Sequence, residues 1–355
     1  MIALERRDSP GWIAQTVAYL LAIAAGLMAS VVLIMIAGAD VADGLGALWQ
    51  GAFGDAEAIG QSLVAAIPLV FTGLATVIAF RAGIWNIGQE GQVFAGAMAG
   101  YWMSLQLAGA PAVVAVPAVI LASIAGGAAI AALCAVLKTR FEVNEIISTM
   151  MLNYIVVYLL SYLLSGGPWI ETGSTAYHQT PLIADNFHLP QLLGLHLGAP
   201  LALAATAAIA VVIARTPLGF ELRGLGFNPV ALRYKGVRVA TTIIMVMAIS
   251  GALSALAGVS EVFGINYRLR AEVLNGLGYT GIIVGMIGAL NPWGTLVAAL
   301  AFGAMANGAL YMSVLTDVPS ALVPAMQGIL LLFVLGATVL TRYRIRFVRK
   351  EARHG

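Results

Sequence analysis

Residues 215–240 read RTPLGFELRGLGFNPVALRYKGVRVA, a polar island with long apolar runs on both sides. Five cations, Arg215, Arg223, Arg233, Lys235 and Arg238, stand there against one acid, Glu221. Between apolar runs such a concentration marks a cytoplasmic loop, because basic residues close to span ends resist translocation. Everything else takes its orientation from this loop. Asn228 before Pro229 reads as an N-cap and first helical residue, so 229–234 is predicted to form a short helix that stops near Gly236. A short helix held between two spans suits contact with a cytosolic partner. A solvated basic turn that only obeys the charge bias explains the charges equally well.

Composition sets the class. Of 355 residues, 61% are hydrophobic and only 10% charged, with a mean hydropathy of +0.94. A soluble domain carries about 25% charged residues, so the chain reads as an all-α polytopic membrane protein. Forty glycines suit close helix packing in lipid, as in Gly96-x-x-x-Gly100, Gly281-x-x-x-Gly285 and the ladder Gly251, Ala255. Cys134 is the single cysteine, which excludes an intramolecular disulfide.

Apolar runs at 12–38, 59–80, 93–107, 112–137, 146–164, 201–214, 241–263, 277–290, 294–312 and 321–340 give about ten transmembrane helices with both termini cytoplasmic. The first is read as a retained span, because it is too long for a signal-peptide core. By this topology sixteen of the eighteen Lys and Arg residues lie on the cytoplasmic side, six of them in the basic tail 341–355. A tail of that charge either anchors the last span or also holds anionic membrane lipid. The acidic stretch 40–57 and the loop 166–199, which has no Lys or Arg, then face outward. Polar, glycine-bearing interruptions at 81–92 and 264–278 follow the second and seventh spans, which run in opposite directions. Paired breaks of this kind predict two inverted-repeat-like halves with a path between them.

No G-x-x-x-x-G-K-[ST], H-E-x-x-H or G-x-S-x-G occurs, which removes the commonest ATP-gripping, zinc-protease and nucleophile-elbow readings. His178, His188 and His196 share one loop at spacings that match no standard metal pattern. No catalytic residue, cofactor, metal or nucleic-acid partner is called for. Polar side chains at membrane depth are costly and are therefore the functional candidates. One set is Asn86, Gln89, Glu90 and Gln92, where Gly83, Gly88 and Gly91 break the helix. Another is Glu145, Thr149 and Asn153, which share one helix face at i, i+4, i+8 below an Asn144 cap. Both sets either line a path or satisfy the backbone and neighbouring helices of the break. For contact with a cytosolic partner the candidates are Asn228, Pro229, Arg233, Tyr234 and Gly236.

Four stretches carry a resemblance: AFRAGIWNIGQEGQVFAGAMAGYW at 79–102, FEVNEIISTMMLNY at 141–154, LGFNPVALRYKGV at 225–237 and GLGYTGIIVGMIGALNPWG at 276–294. In that order they resemble the permease subunits of bacterial ABC importers of the branched-chain amino acid and simple sugar type, most of all the nucleoside (BMP-type) branch. The similarity covers 59–340 of a single transmembrane domain, 1–355. It implies an inner-membrane transport subunit, not an enzyme, that carries nucleosides, purine nucleosides first. It also implies a cytosolic ATPase, a second permease and an extracytoplasmic substrate-binding protein. Import of simple sugars or branched-chain amino acids is the alternative within the superfamily. A stand-alone secondary transporter is the alternative from another class; it would place an ionisable relay in mid-span.

Overall fold

The structure, a computed structural model, describes residues 2–6, 12–36, 40–171, 178–192, 194–316 and 322–347. Arg7 and the tail cations Arg349, Lys350 and Arg353 lie outside the described residues. In chain order the elements are β1 (Ile2–Arg6), α1 (Trp12–Ile36), α2 (Val41–Phe53), α3 (Ala56–Arg81), α4 (Gln89–Gln106), α5 (Ala112–Phe141) and α6 (Glu145–Ser165). A short 3-10 turn (Asp185–Phe187) and a two-stranded ladder, β2 (Gln191–Leu192) with β3 (Leu195–His196), precede α7 (Gly198–Arg215), α8 (Pro217–Phe227) and α9 (Pro229–Tyr234). After α10 (Val239–Glu261) comes a π-turn (Val262–Asn266), then α11 (Ala271–Leu274), α12 (Leu277–Ile287), α13 (Pro292–Leu315), α14 (Leu322–Arg342) and β4 (Tyr343–Phe347).

Six of these helices, α3, α5, α6, α7, α10 and α13, are long and apolar enough to cross a bilayer, and the bent pair α1 with α2 raises the number to seven. Helices also occupy the remaining apolar runs, as α4, α12 and α14. The 11 residues of α12 make a helix about 16 Å long, roughly half a hydrocarbon core. The acidic stretch 40–57 is not a plain loop. Asp40 accepts from the Ala42 and Asp43 amides and starts α2, while Asp55 accepts from Ala58 and starts α3 three residues before the apolar run.

The chain divides into two units, 1–54 with 305–355, and 55–304. In the first, α1 packs on α14, β1 pairs antiparallel with β4, and Ile34, Ala47 and Met312 form a small apolar cluster. In the second, α3 is the most buried of the long helices and packs against α10 and α12, while α10 continues onto α4 and α5. Small residues make these approaches. A Cβ on Gly96 would meet Ala255, one on Gly285 would meet Thr76, and one on Gly251 would meet the Gly127 carbonyl. Backbones this close leave no room for a side chain, which is how helices gain contact where lipid competes for every apolar surface.

The loop after α6 is bound to the segment after α10. The Thr180 amide donates to Leu269 O at 3.2 Å, Ile183 to Tyr267 O at 2.9 Å and Leu189 to Phe263 O at 2.8 Å. Arg268 closes the same junction by donating to Glu171 at 2.6 Å. This cation and Gln179 hold the Glu171 carboxyl below its ordinary range.

Candidate functional site

The site begins where α3 stops. Gly83 adopts φ +70°, its amide donates to Phe80 O, and the Ile84 amide reaches back to Ala79 O, both at 3.0 Å. This double bond ends a helix with a left-handed glycine. Residues 82–88 are non-helical, and α4 resumes at Gln89. The exposed backbone of this break is then satisfied by side chains, as buried polar groups require.

Asn86 and Gln92 pair amide to amide at 3.0 and 2.9 Å. Asn86 also accepts from the Gly88 amide at 3.1 Å and donates to Ser250 Oγ at 2.8 Å, which ties the break to α10. Gln89 satisfies both ends of its amide on α3, donating to Thr72 O at 2.8 Å and accepting from Thr76 Oγ1 at 2.7 Å. Glu90 reaches the second interruption. Its carboxylate accepts from the Gly276 amide and, at 2.8 Å, from the Gly278 amide. Those amides open α12, so the negative charge sits at the positive end of a helix. The two interruptions therefore meet in one joint.

Asn153 holds the other side. Its Oδ1 accepts from the Gly91 amide at 2.8 Å, and its Nδ2 donates to Ile87 O at 2.9 Å and to Tyr279 Oη at 3.3 Å. Thr149, one turn earlier, bonds back to Glu145 O at 2.6 Å and would be struck by any side chain at Gly88. Asn86, Gln89, Glu90, Gln92, Thr149 and Asn153 are all buried, so six of the seven path candidates converge. Glu145 lies apart. It pairs with Lys138 at 2.5 Å across the α5–α6 turn and meets the break only through the Trp85 backbone. In this conformation the joint is packed and hydrogen-bonded rather than open. On α6 the opposite face, with Met151, Tyr154, Tyr158 and Tyr162, is exposed.

Ser250, Thr72, Thr76 and Tyr279 complete the joint beyond the residues named from the sequence. Thr72 and Thr76 stand four apart within an apolar run, a legible polar stripe. Nothing local in the sequence points Glu90 at Gly276.

At the basic loop, Asn228 accepts from the Val230 and Ala231 amides at 3.0 and 3.1 Å and caps α9. Gly236 follows with φ +83°. The preceding helix α8 escaped the sequence reading, although Thr216 and Pro217 carry its start signal: Thr216 Oγ1 accepts from the Gly219 amide. Leu232 is buried, whereas Tyr234 and Phe227 are 89% and 90% exposed and Val230 is exposed beside them. Exposed aromatic side chains beside Arg233 form the kind of surface that a protein partner covers. Among the described residues no three His, Cys, Asp or Glu side chains converge on a metal site. His196 is buried, and His188 stacks on Tyr267.

The family model described as branched-chain amino acid transport system / permease component matches residues 58–335, which contain both breaks and the basic loop. The chain belongs to that family. It is thus similar to transport subunits rather than enzymes. The chain is 35% identical over 333 residues to the guanosine ABC transporter permease protein NupP of Bacillus subtilis, covering 93% of this chain and 94% of that one. It is 33% identical to the glucose ABC transporter permease protein TsgB13 of Haloferax volcanii, over 96% and 92% of the two chains. To the nucleoside ABC transporter permease protein NupB of Lactococcus lactis subsp. cremoris it is 30% identical, over 82% of each.

Proposed function

We propose that this permease forms the membrane path of an ATP-driven importer of nucleosides, with purine nucleosides as its cargo. The observation that carries the reading is the 35% identity, over nearly the full length of both chains, to a guanosine permease. The protein lies in the cell membrane with about ten crossings and both termini in the cytoplasm, an orientation supported by the one-sided distribution of Lys and Arg. ATP is hydrolysed on a separate cytosolic chain. That chain receives α9, with Arg233 and Tyr234 presented by the Asn228–Pro229 cap and the Gly236 turn. An extracytoplasmic binding protein delivers cargo, and a second permease covers the exposed aromatic face of α6.

Transport follows from the joint. Closure of the ATPase displaces α8 and α9 as a body, and α6 separates from the start of α4. Asn153 then exchanges the Gly91 and Ile87 backbone for cargo, and Asn86, Gln89, Glu90 and Gln92 are uncovered behind it. Amide side chains suit hydroxyls and base edges, and their bonds are weak enough to release what they receive. The glucose relative favours a second reading, import of a simple sugar through the same path. Uptake of radiolabelled guanosine, glucose, ribose and leucine in a strain lacking the gene separates the two. Guanosine uptake restored by the gene is the expected result; restoration of glucose or ribose uptake alone refutes the nucleoside reading. Orientation is tested by impermeant thiol labelling after Cys134 is replaced: Asp43→Cys labels in intact cells and Arg238→Cys does not.

A further inference from the structure

At the end of the bundle that carries α8 and α9, a cavity of about 360 Å³ lies between α3, α7, α8 and the start of α13. Arg81 and Arg223 both line it, and no acid does. Each guanidinium is fixed by one bond to a carbonyl: Arg81 Nε donates to Leu290 O at 2.6 Å, and Arg223 Nη1 donates to Ile213 O at 2.5 Å. An arginine has five N–H donors, so most of each fork is left over. Among the described residues neither forms an ion pair. The two cations act on each other across the space, and an anion between them converts that repulsion into attraction. A third positive source is the first turn of α13, a 24-residue helix. Asn291 and Trp293 bring that turn to the cavity wall, and Asn291 caps it by accepting from the Trp293 amide at 3.0 Å.

We propose that this cavity seats the phosphodiester of an anionic phospholipid, with Arg81 and Arg223 as its ligands. Planar guanidinium forks match phosphate oxygens in pairs, which selects phosphate over a simple counter-ion. The surroundings select a lipid over free phosphate. Trp293 is half exposed, and Val297, one turn along α13, and Val211 on α7 are exposed too, so an apolar surface runs from the cavity along the helices. Headgroup at the basic end, acyl chain along that surface and an indole at the boundary is the arrangement expected where a basic pocket meets the bilayer.

The test uses the full-length protein in phosphatidylcholine nanodiscs that contain a minor fraction of acyl-brominated phosphatidylglycerol. The fluorescence of Trp293 is isolated as the difference between the wild type and Trp293→Phe. The expected result is several-fold stronger quenching by brominated phosphatidylglycerol than by brominated phosphatidylcholine at the same fraction, with the preference lost in Arg81→Gln/Arg223→Gln. Added inorganic phosphate leaves the quenching unchanged if the ligand is a lipid; relief of quenching by phosphate overturns the lipid assignment. Equal quenching by the two lipids overturns the site. Arg223 is exposed, so Arg223→Glu alone keeps the test open if the double variant does not fold, and it too must abolish the preference. Both leaflets of a nanodisc hold the same lipids, so the result does not depend on orientation or cargo.

Discussion

Glu90→Gln changes a single charge at the point where the two helix interruptions meet. In the wild type two carboxylate oxygens accept from two amides at the start of α12, those of Gly276 and Gly278. Hydrogen bonds to a charged partner contribute about 1.5–3 kcal/mol each. Glutamine keeps one acceptor and turns an NH2 towards the other amide, so one bond is lost and one buried donor is left without a partner. The favourable field between the carboxylate and the helix end, about 0.3–1 kcal/mol, is lost as well. Against this, a neutral amide costs less to bury than a carboxylate. The balance is a local destabilisation of about 2 kcal/mol, and since 1.4 kcal/mol is tenfold, local opening rises about thirtyfold. Hydrogen exchange of the peptide that spans 274–282, measured by mass spectrometry on the purified chain, reads this directly. A peptide from the middle of α7 should not change. Unaltered exchange at 276–279 in the variant would refute the carboxylate's role as the clasp.

Asn153→Leu strips an acceptor from the Gly91 amide and a donor from Ile87 O, at about 1–3 kcal/mol for each group left unpaired; the melting temperature and the maximal guanosine uptake should both fall. Asn228→Ala removes the cap of α9 at about 1 kcal/mol, and copurification with the proposed ATPase should weaken while membrane insertion is retained. Gly251→Leu drives a side chain into the Gly127 carbonyl; overpacking of about 1–3 kcal/mol or more should appear as aggregation on gel filtration, which Gly60→Leu, on a helical backbone with open space around it, would not produce. Glu171 has a depressed carboxyl because of Arg268 first and Gln179 second. The tie it makes is therefore complete above the ordinary carboxylate range and is lost as pH falls through the depressed value. Proteolysis near Gln179 should accelerate below that range, and Arg268→Gln should make it equally fast at neutral pH.

The apolar runs were legible because a bilayer leaves few options: each run had to be helical, and each carries a helix. Asn228–Pro229 was legible for a local reason, since an N-cap and its first turn are contiguous. The joint was legible only in its membership. Cost at membrane depth singled out Asn86, Gln89, Glu90, Gln92 and Asn153, but Glu90 and its amides stand 186 and 188 residues apart, and no local rule spans that distance. Glu145 shares the helix face of Thr149 and Asn153, but Lys138 at the end of the preceding helix pairs with its carboxylate, a contact that face geometry alone does not reveal. The helices α2 and α8 were missed for lack of long apolar runs, although Asp40 and Thr216 announce both.

The bonds between the loop after α6 and residues 263–269 have a mechanical meaning. That segment continues through α11 to Gly276, so one short tether has its far end strapped to the loop and its near end clasped by Glu90. Neither end can be displaced without tension reaching the other. By reciprocity, whatever binds better to a loosened loop must help release the clasp, and whatever releases the clasp must loosen the loop by the same free energy. The chain thus carries a draw-cord from one face of the bundle to its interior, made of backbone and needing no ionisable relay.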